Sequence, residues 1–168
     1  MDDIAAEARV SKQTIYTHFA SKEELFSDLV LANAERVEGF ISQIRPTLSG
    51  SRNVETGLRS LARLYLEFVM RPEVLRLRRL IIGEAGRFPD LARRYYELVP
   101  RRVYEALASE FRHIGLRDPN TAAIHFAWLT LGFPLDQAMF LPAQAAAKGG
   151  NVDRTAASAV RVLLAAYR

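Results

Sequence analysis

Residues 2–26 read DDIAAEARVSKQTIYTHFASKEELF, and this stretch decides the fold. Helix formers run from Met1 to Ala8, with Ile4 and Ala8 four apart on one face. Val10 and Ser11 break that pattern, and Ser11 stands where an N-cap belongs, ahead of a second short helix over residues 12 to about 19. Within it Ile15 and Phe19 are four apart and share a face toward a small core. Ser21 is a second N-cap, and Glu24 three residues on completes a capping box. From there Leu25, Phe26, Leu29, Val30, Ala34, Val37, Ile41 and Ile44 recur at helical spacing, so a long third helix is predicted over 22–44, closed by Pro46 and Gly50.

Outward from this stretch the pattern stays helical, and no strand is predicted. Val54, Leu58, Leu61, Tyr65, Phe68 and Val69 form an amphipathic helix that stops before Pro72. A helix over 73–85 carries arginines on one side, and Gly86 to Pro89 turn the chain into the next. Pro100 should kink that next helix, since it removes a backbone bond. Asp118 and Pro119 read as N-cap and first residue of a helix that meets Pro134 and ends near Leu141. Residues 143–150 read as a small-residue linker, and 152–167 as a last helix. The expected fold class is all-α: a head with its connecting long helix over 1–44, and a helical-bundle body over 45–168.

Composition narrows the function. The chain has 168 residues and no cysteine, which excludes disulfides, thiolate metal sites and a cysteine nucleophile. Without a third ligand at plausible spacing near His113 or His125, no metal site and no cofactor is expected. The acids at the N-terminus do not fit a signal peptide, and the apolar stretch 126–141 is short and interrupted by Pro134 and Asp136, so a cytoplasmic protein with no membrane partner is expected. There is no HExxH, no paired ExxH, no glycine-rich phosphate loop and no nucleophile elbow, so an enzyme is not expected. The net charge is a mild +4, which favours polyanions as partners. Its distribution says more: from Ala8 to Ser21 no acid occurs, while Arg9, Lys12 and His18 do.

At its fixed spacings this segment resembles the signature of the TetR family of bacterial regulators. Ile4, Ala5, Ala8, Val10, Ser11, Thr14, Ile15, Tyr16, His18, Phe19, Ser21, Lys22 and Leu25 fill its anchors. The stretch RFPDLARRYYELVPRRVYEAL is similar to C-terminal domains of AcrR/AefR-like members. The resemblance implies a helix-turn-helix head that reads double-stranded DNA, a body that binds a small effector, and a homodimer. Two departures stand out. The family usually has glycine where Arg9 stands, because that turn favours positive φ. The family also has a helix ahead of the position of Met1, covering the apolar face to which Ile4, Val10, Ile15 and Phe19 belong; a truncated start is the expectation.

Lys12, Gln13, Thr14 and Thr17 occupy outward positions of the second helix and could reach base edges: glutamine pairs with adenine, threonine touches a thymine methyl. Tyr16, His18 and Lys22 read as phosphate contacts, and the resemblance gives the same role to Tyr16 and Lys22. Ser11 divides evenly between capping and DNA contact. For a small hydrophobic or amphipathic effector the pointers are Tyr65, Phe68, His113, His125, Phe126, Trp128, Phe133 and Met139. For the dimer interface they lie on the last two helices: Ala127, Leu129, Ala156, Val160, Leu163 and Tyr167, with Ala157, Ala159 and Ala165 allowing close approach. A repressor released by its effector is expected; the rival is a ligand-binding or dimeric interaction protein that has lost DNA binding with its first helix.

Overall fold

A computed structural model describes residues 2–141 and 149–168, and among these every regular element is helical. Two short helices, α1 (Asp2–Ala8) and α2 (Lys12–His18), form the head. The long α3 (Lys22–Ser49) leads into a body of α4 (Val54–Val69), α5 (Pro72–Glu84), α6 (Pro89–Tyr96), α7 (Arg102–His113), α8 (Pro119–Phe140) and α9 (Gly149–Tyr167).

The α1–α2 turn closes by two backbone bonds, Val10 N–H to the Ala5 carbonyl at 3.0 Å and Arg9 N–H to the Ala6 carbonyl at 3.2 Å. This is the Schellman arrangement, which puts its C′ residue in the left-handed region. Arg9 is that residue, at φ 55, whereas the same pattern after α7 is filled by Gly115 at φ 78. Ser11 and Ser21 cap α2 and α3 by accepting from Thr14 N–H and Glu24 N–H. Glu24 reaches back to the N–H of Ala20, one residue ahead of the position that a capping box uses.

The long helix does not end at Ile44. It runs through Pro46 to Ser49, because Ile44 and Leu48 bury one turn apart across the proline. Pro46 is exposed, and so is Ser42, whose carbonyl is the one deprived of its partner. α3 also crosses the expected boundary between head and body: Val30, Val37, Phe40, Ile44 and Leu48 all belong to the body's core. At Pro100 the chain makes a π-helical turn (Glu97–Arg101) where a kink is predicted; the wider turn accommodates a ring that has no N–H to give. The residues that read as a linker lie outside the described residues up to 148, and Gly149 and Gly150 already belong to α9.

In the body, α8 packs between α7, α4 and α9, and α3 lies along α4 and α7. Leu58, Leu61, Leu66, Leu107, Phe111, Phe126, Val160 and Leu163 are the fully buried centre. No described helix is long and apolar enough to cross a membrane.

Candidate functional sites

The exposed face of α2 carries Lys12, Gln13, Thr14, Tyr16, Thr17 and His18, while Ile15 is buried. Several of these polar groups already have partners. Ser11 Oγ accepts the Thr14 N–H at 2.9 Å and shares a hydrogen bond with Thr14 Oγ1 at 2.7 Å. Thr17 Oγ1 donates to the Gln13 carbonyl at 2.9 Å, and the residue is exposed. Lys12 Nζ lies 3.0 Å from Asp2, and that hydrogen bond lowers the Asp2 carboxyl below its usual range and raises the Lys12 ammonium. Among the described residues, Gln13, Tyr16 and His18 make no side-chain hydrogen bond, so their tips face outward unengaged.

Lys22 departs from the phosphate-contact expectation. Its ammonium points into the body, 3.4 Å from Glu84 Oε1 at the end of α5, and sits over the rings of Phe26 and Phe88 at 5.1 and 5.7 Å. Those rings meet edge to face at 5.9 Å. A carboxylate and two π-faces together outbid water for the ammonium. Arg94 of α6 adds a second tie to α3, donating to Ser27 Oγ at 3.1 Å.

Inside the body, α3, α4, α5, α6, α7, α8 and the π-helical turn line a void of about 40 Å³. Tyr65, Phe68 and Trp128 line it, as the sequence reading places them. Five other effector pointers lie elsewhere. Phe126 is fully buried and packs edge-on against Phe111 at 5.4 Å. His125 is exposed and hydrogen-bonds the Tyr167 hydroxyl. His113 is exposed at the end of α7, Phe133 is 74% exposed on the outside of α8, and Met139 packs at the edge of the core. Helical spacing marks apolar positions without saying which of α8's faces meets the void, because α8 is apolar all round.

The void's polar fittings escaped the sequence reading: Asn33 from α3, Arg78 from α5, Tyr95 from α6 and Tyr104 from α7. One signal for Asn33 was available, since it falls on the face of α3 shared by Val30 and Val37. Burial pushes the Tyr65 phenol well above the usual tyrosine range and raises Tyr95 and Tyr104, while Arg78 pulls each of them back.

The interface expectations also need correction. Ala127, Ala156, Val160 and Leu163 are buried at 2% exposure or less within the chain's own core, because the stripe they form faces helices of the same chain. Ala159 is buried with them, Ala157 is half-buried, and Tyr167 packs against the core. Leu129 remains 39% exposed and shares a face of α8 with the exposed Phe133 and Phe140, while Ile124 is exposed elsewhere on α8 and Val162 and Ala165 are exposed on α9.

A capped two-helix head, joined by one long helix to a bundle around a lined void, matches two family models. Residues 1–29 match the model described as bacterial regulatory proteins, tetR family, and residues 56–168 match that of the AefR-like transcriptional repressor C-terminal domain. The chain belongs to the TetR family. Family members are transcription regulators and not enzymes.

Solved structures agree. A TetR-family transcriptional regulator from Mesorhizobium loti MAFF303099 is 37% identical with a TM-score of 0.85, over 99% of this chain and 85% of that one. The flavonoid-responsive regulator FrrA is 29% identical with a TM-score of 0.66, over 100% and 86% of the two chains. SCO4454 from Streptomyces coelicolor, at 20% identity and a TM-score of 0.65 over 98% and 82%, shares the fold. None of the curated proteins compared with the chain matches it.

Proposed function

We propose that this TetR-family regulator is a dimeric repressor, released from its operator by a small amphipathic effector that enters the void in the body. One observation carries the reading: α3 is shared by both ends. It starts four residues after the end of α2, and eleven residues further on Asn33 lines the void. Anything that pushes Asn33 or Val37 acts on the rod that carries the head, and Lys22–Glu84 ties that rod to α5, whose Val74 and Arg78 line the same void. Effector and operator then oppose each other reciprocally, with coupling of about 1–3 kcal/mol. The name of FrrA records a response to flavonoids, which are small amphipathic molecules, and so favours that effector class.

In the head, Gln13, Tyr16 and His18 are the side chains free to meet DNA at once, with Lys12 joining by leaving Asp2 and the Thr17 methyl available to a thymine. Two heads read two half-sites, which calls for a dimer. Its interface lies on the exposed apolar side chains of α8 and α9, with Leu129, Phe133 and Phe140 sharing one face of α8 and Val162 exposed on α9.

The test is selection of fragments from the source genome by the wild-type chain, by Gln13→Ala/Tyr16→Ala and by Phe133→Asp. A palindromic site is expected for the wild type. The head variant loses the site while remaining a dimer by sedimentation, and Phe133→Asp loses it by becoming monomeric. A folded, dimeric wild type that selects no site refutes the repressor and leaves a ligand-binding module.

A further inference from the structure

Asn33 is only 2% exposed, yet neither its Nδ2 nor its Oδ1 has a hydrogen-bond partner. A buried carboxamide left this way is expensive, and native chains rarely keep one without a use. Packing supplies none here, since its neighbours on the same helical face, Val30 and Val37, are fully buried aliphatics that set the pattern for the position. Asn33 is among the residues that line the void.

Arg78 makes the second observation. It lines the same void from α5, and among the described residues no carboxylate lies within ion-pair distance of it. The groups around it are the phenols of Tyr65, Tyr95 and Tyr104, which are neutral near pH 7. The void therefore offers one uncompensated cation, one unsatisfied amide and otherwise apolar or aromatic walls.

We infer that the void takes a flat aromatic anion, its carboxylate or ionised phenol paired with Arg78 and its hydrogen-bonding edge completed by Asn33. This rests on the effector reading given above and names the chemistry of that same site. Anion and guanidinium form a charge-assisted pair, and the amide's donor and acceptor both find partners only when the ligand is present. Asn33 thus makes the occupied state favourable at a point on α3, the helix that carries the head. At about 40 Å³ the void is well below the roughly 150 Å³ that accepts a benzene ring. Its walls must open to admit a ligand, and Trp128 at 61% exposure, with the half-buried Arg78, is where they can.

The probes are 2-naphthoate, 2,4-dinitro-1-naphtholate, 2-naphthamide and 2-methylnaphthalene, titrated calorimetrically into the full chain and followed by fluorescence of Trp128, its one tryptophan. At least one anion should bind about tenfold or more tighter than both neutral probes, as a charged hydrogen bond implies. Which anion prevails distinguishes a carboxylate effector from a phenolic one. Arg78→Met should erase the margin between anion and neutral probe. Asn33→Leu should weaken the anion while leaving the ligand-free melting temperature equal or higher. A margin that survives Arg78→Met, or 2-methylnaphthalene binding as tightly as the anions, overturns the ligand class and leaves the void as an effector site. A lower melting temperature for ligand-free Asn33→Leu overturns the role given to Asn33. A folded wild type that binds none of the four overturns both the class and the effector reading.

Discussion

Glu84→Gln should tighten operator binding even though it loosens the protein. Lys22 Nζ stands 3.4 Å from Glu84 Oε1, and the two side chains keep 29% and 27% of their exposure. At an effective dielectric of about 20 the bare attraction at that distance is about 5 kcal/mol, an upper bound before desolvation is subtracted. Because water still reaches both groups, the net contribution falls to about 1 kcal/mol, the top of the range for accessible pairs. The Phe26 and Phe88 rings remain to hold the ammonium in the variant, so the fold should lose no more than that. For DNA the sign reverses. To reach a phosphate from the start of α3, Lys22 must first leave Glu84, and removing the carboxylate saves about 1 kcal/mol, or roughly fivefold in affinity per head. The assay is a double-mutant cycle: fluorescence anisotropy on a selected operator for wild type, Glu84→Gln, Lys22→Met and the pair. The gain should disappear when Lys22 is already methionine. An equal gain in the Lys22→Met background would mean only that a negative charge was removed, and no gain at all would mean that Lys22 never leaves the body; either refutes the competition.

Arg9 pays for its left-handed turn. Arg9→Gly should relieve about 1–2 kcal/mol of strain and return about 0.4–1 of it to the freer unfolded chain, so α1 and α2 amides should exchange severalfold more slowly; unchanged protection would show the turn is unstrained. At high pH the buried phenols govern stability. Burial makes Tyr65, Tyr95 and Tyr104 hold their protons above the ordinary tyrosine value when folded, so their contribution is complete below about pH 10 and is lost as pH rises beyond it. In an ultraviolet titration these three should lag the others of the six tyrosines and ionise only with loss of helical circular dichroism; simultaneous titration of all six in the folded chain would contradict this.

Local rules govern the part of the fold that was legible in the chain. The capping serines, the acid-free α2 and the helical spacings place α1 to α3 within a residue or two at their starts, and the anchors of residues 2–26 carry the family. Arg9 at a glycine position foretold the left-handed turn. The end of α3 did not follow from Pro46, because burial of Ile44 and Leu48 across it outweighs one lost backbone bond. Tertiary structure alone decided what each side chain faces. Tyr65, Phe68 and Trp128 meet the void while Phe133 looks outward and Phe126 sits in the core, although all five have the same chemistry in a list. Ala156, Val160 and Leu163 read as a contact stripe, and they are one, but toward their own chain. Lys22 and Glu84 are separated by 62 residues, so no local pattern could pair them. Helical period fixes which residues share a face; only the packing of helices from distant parts of the chain fixes what that face meets.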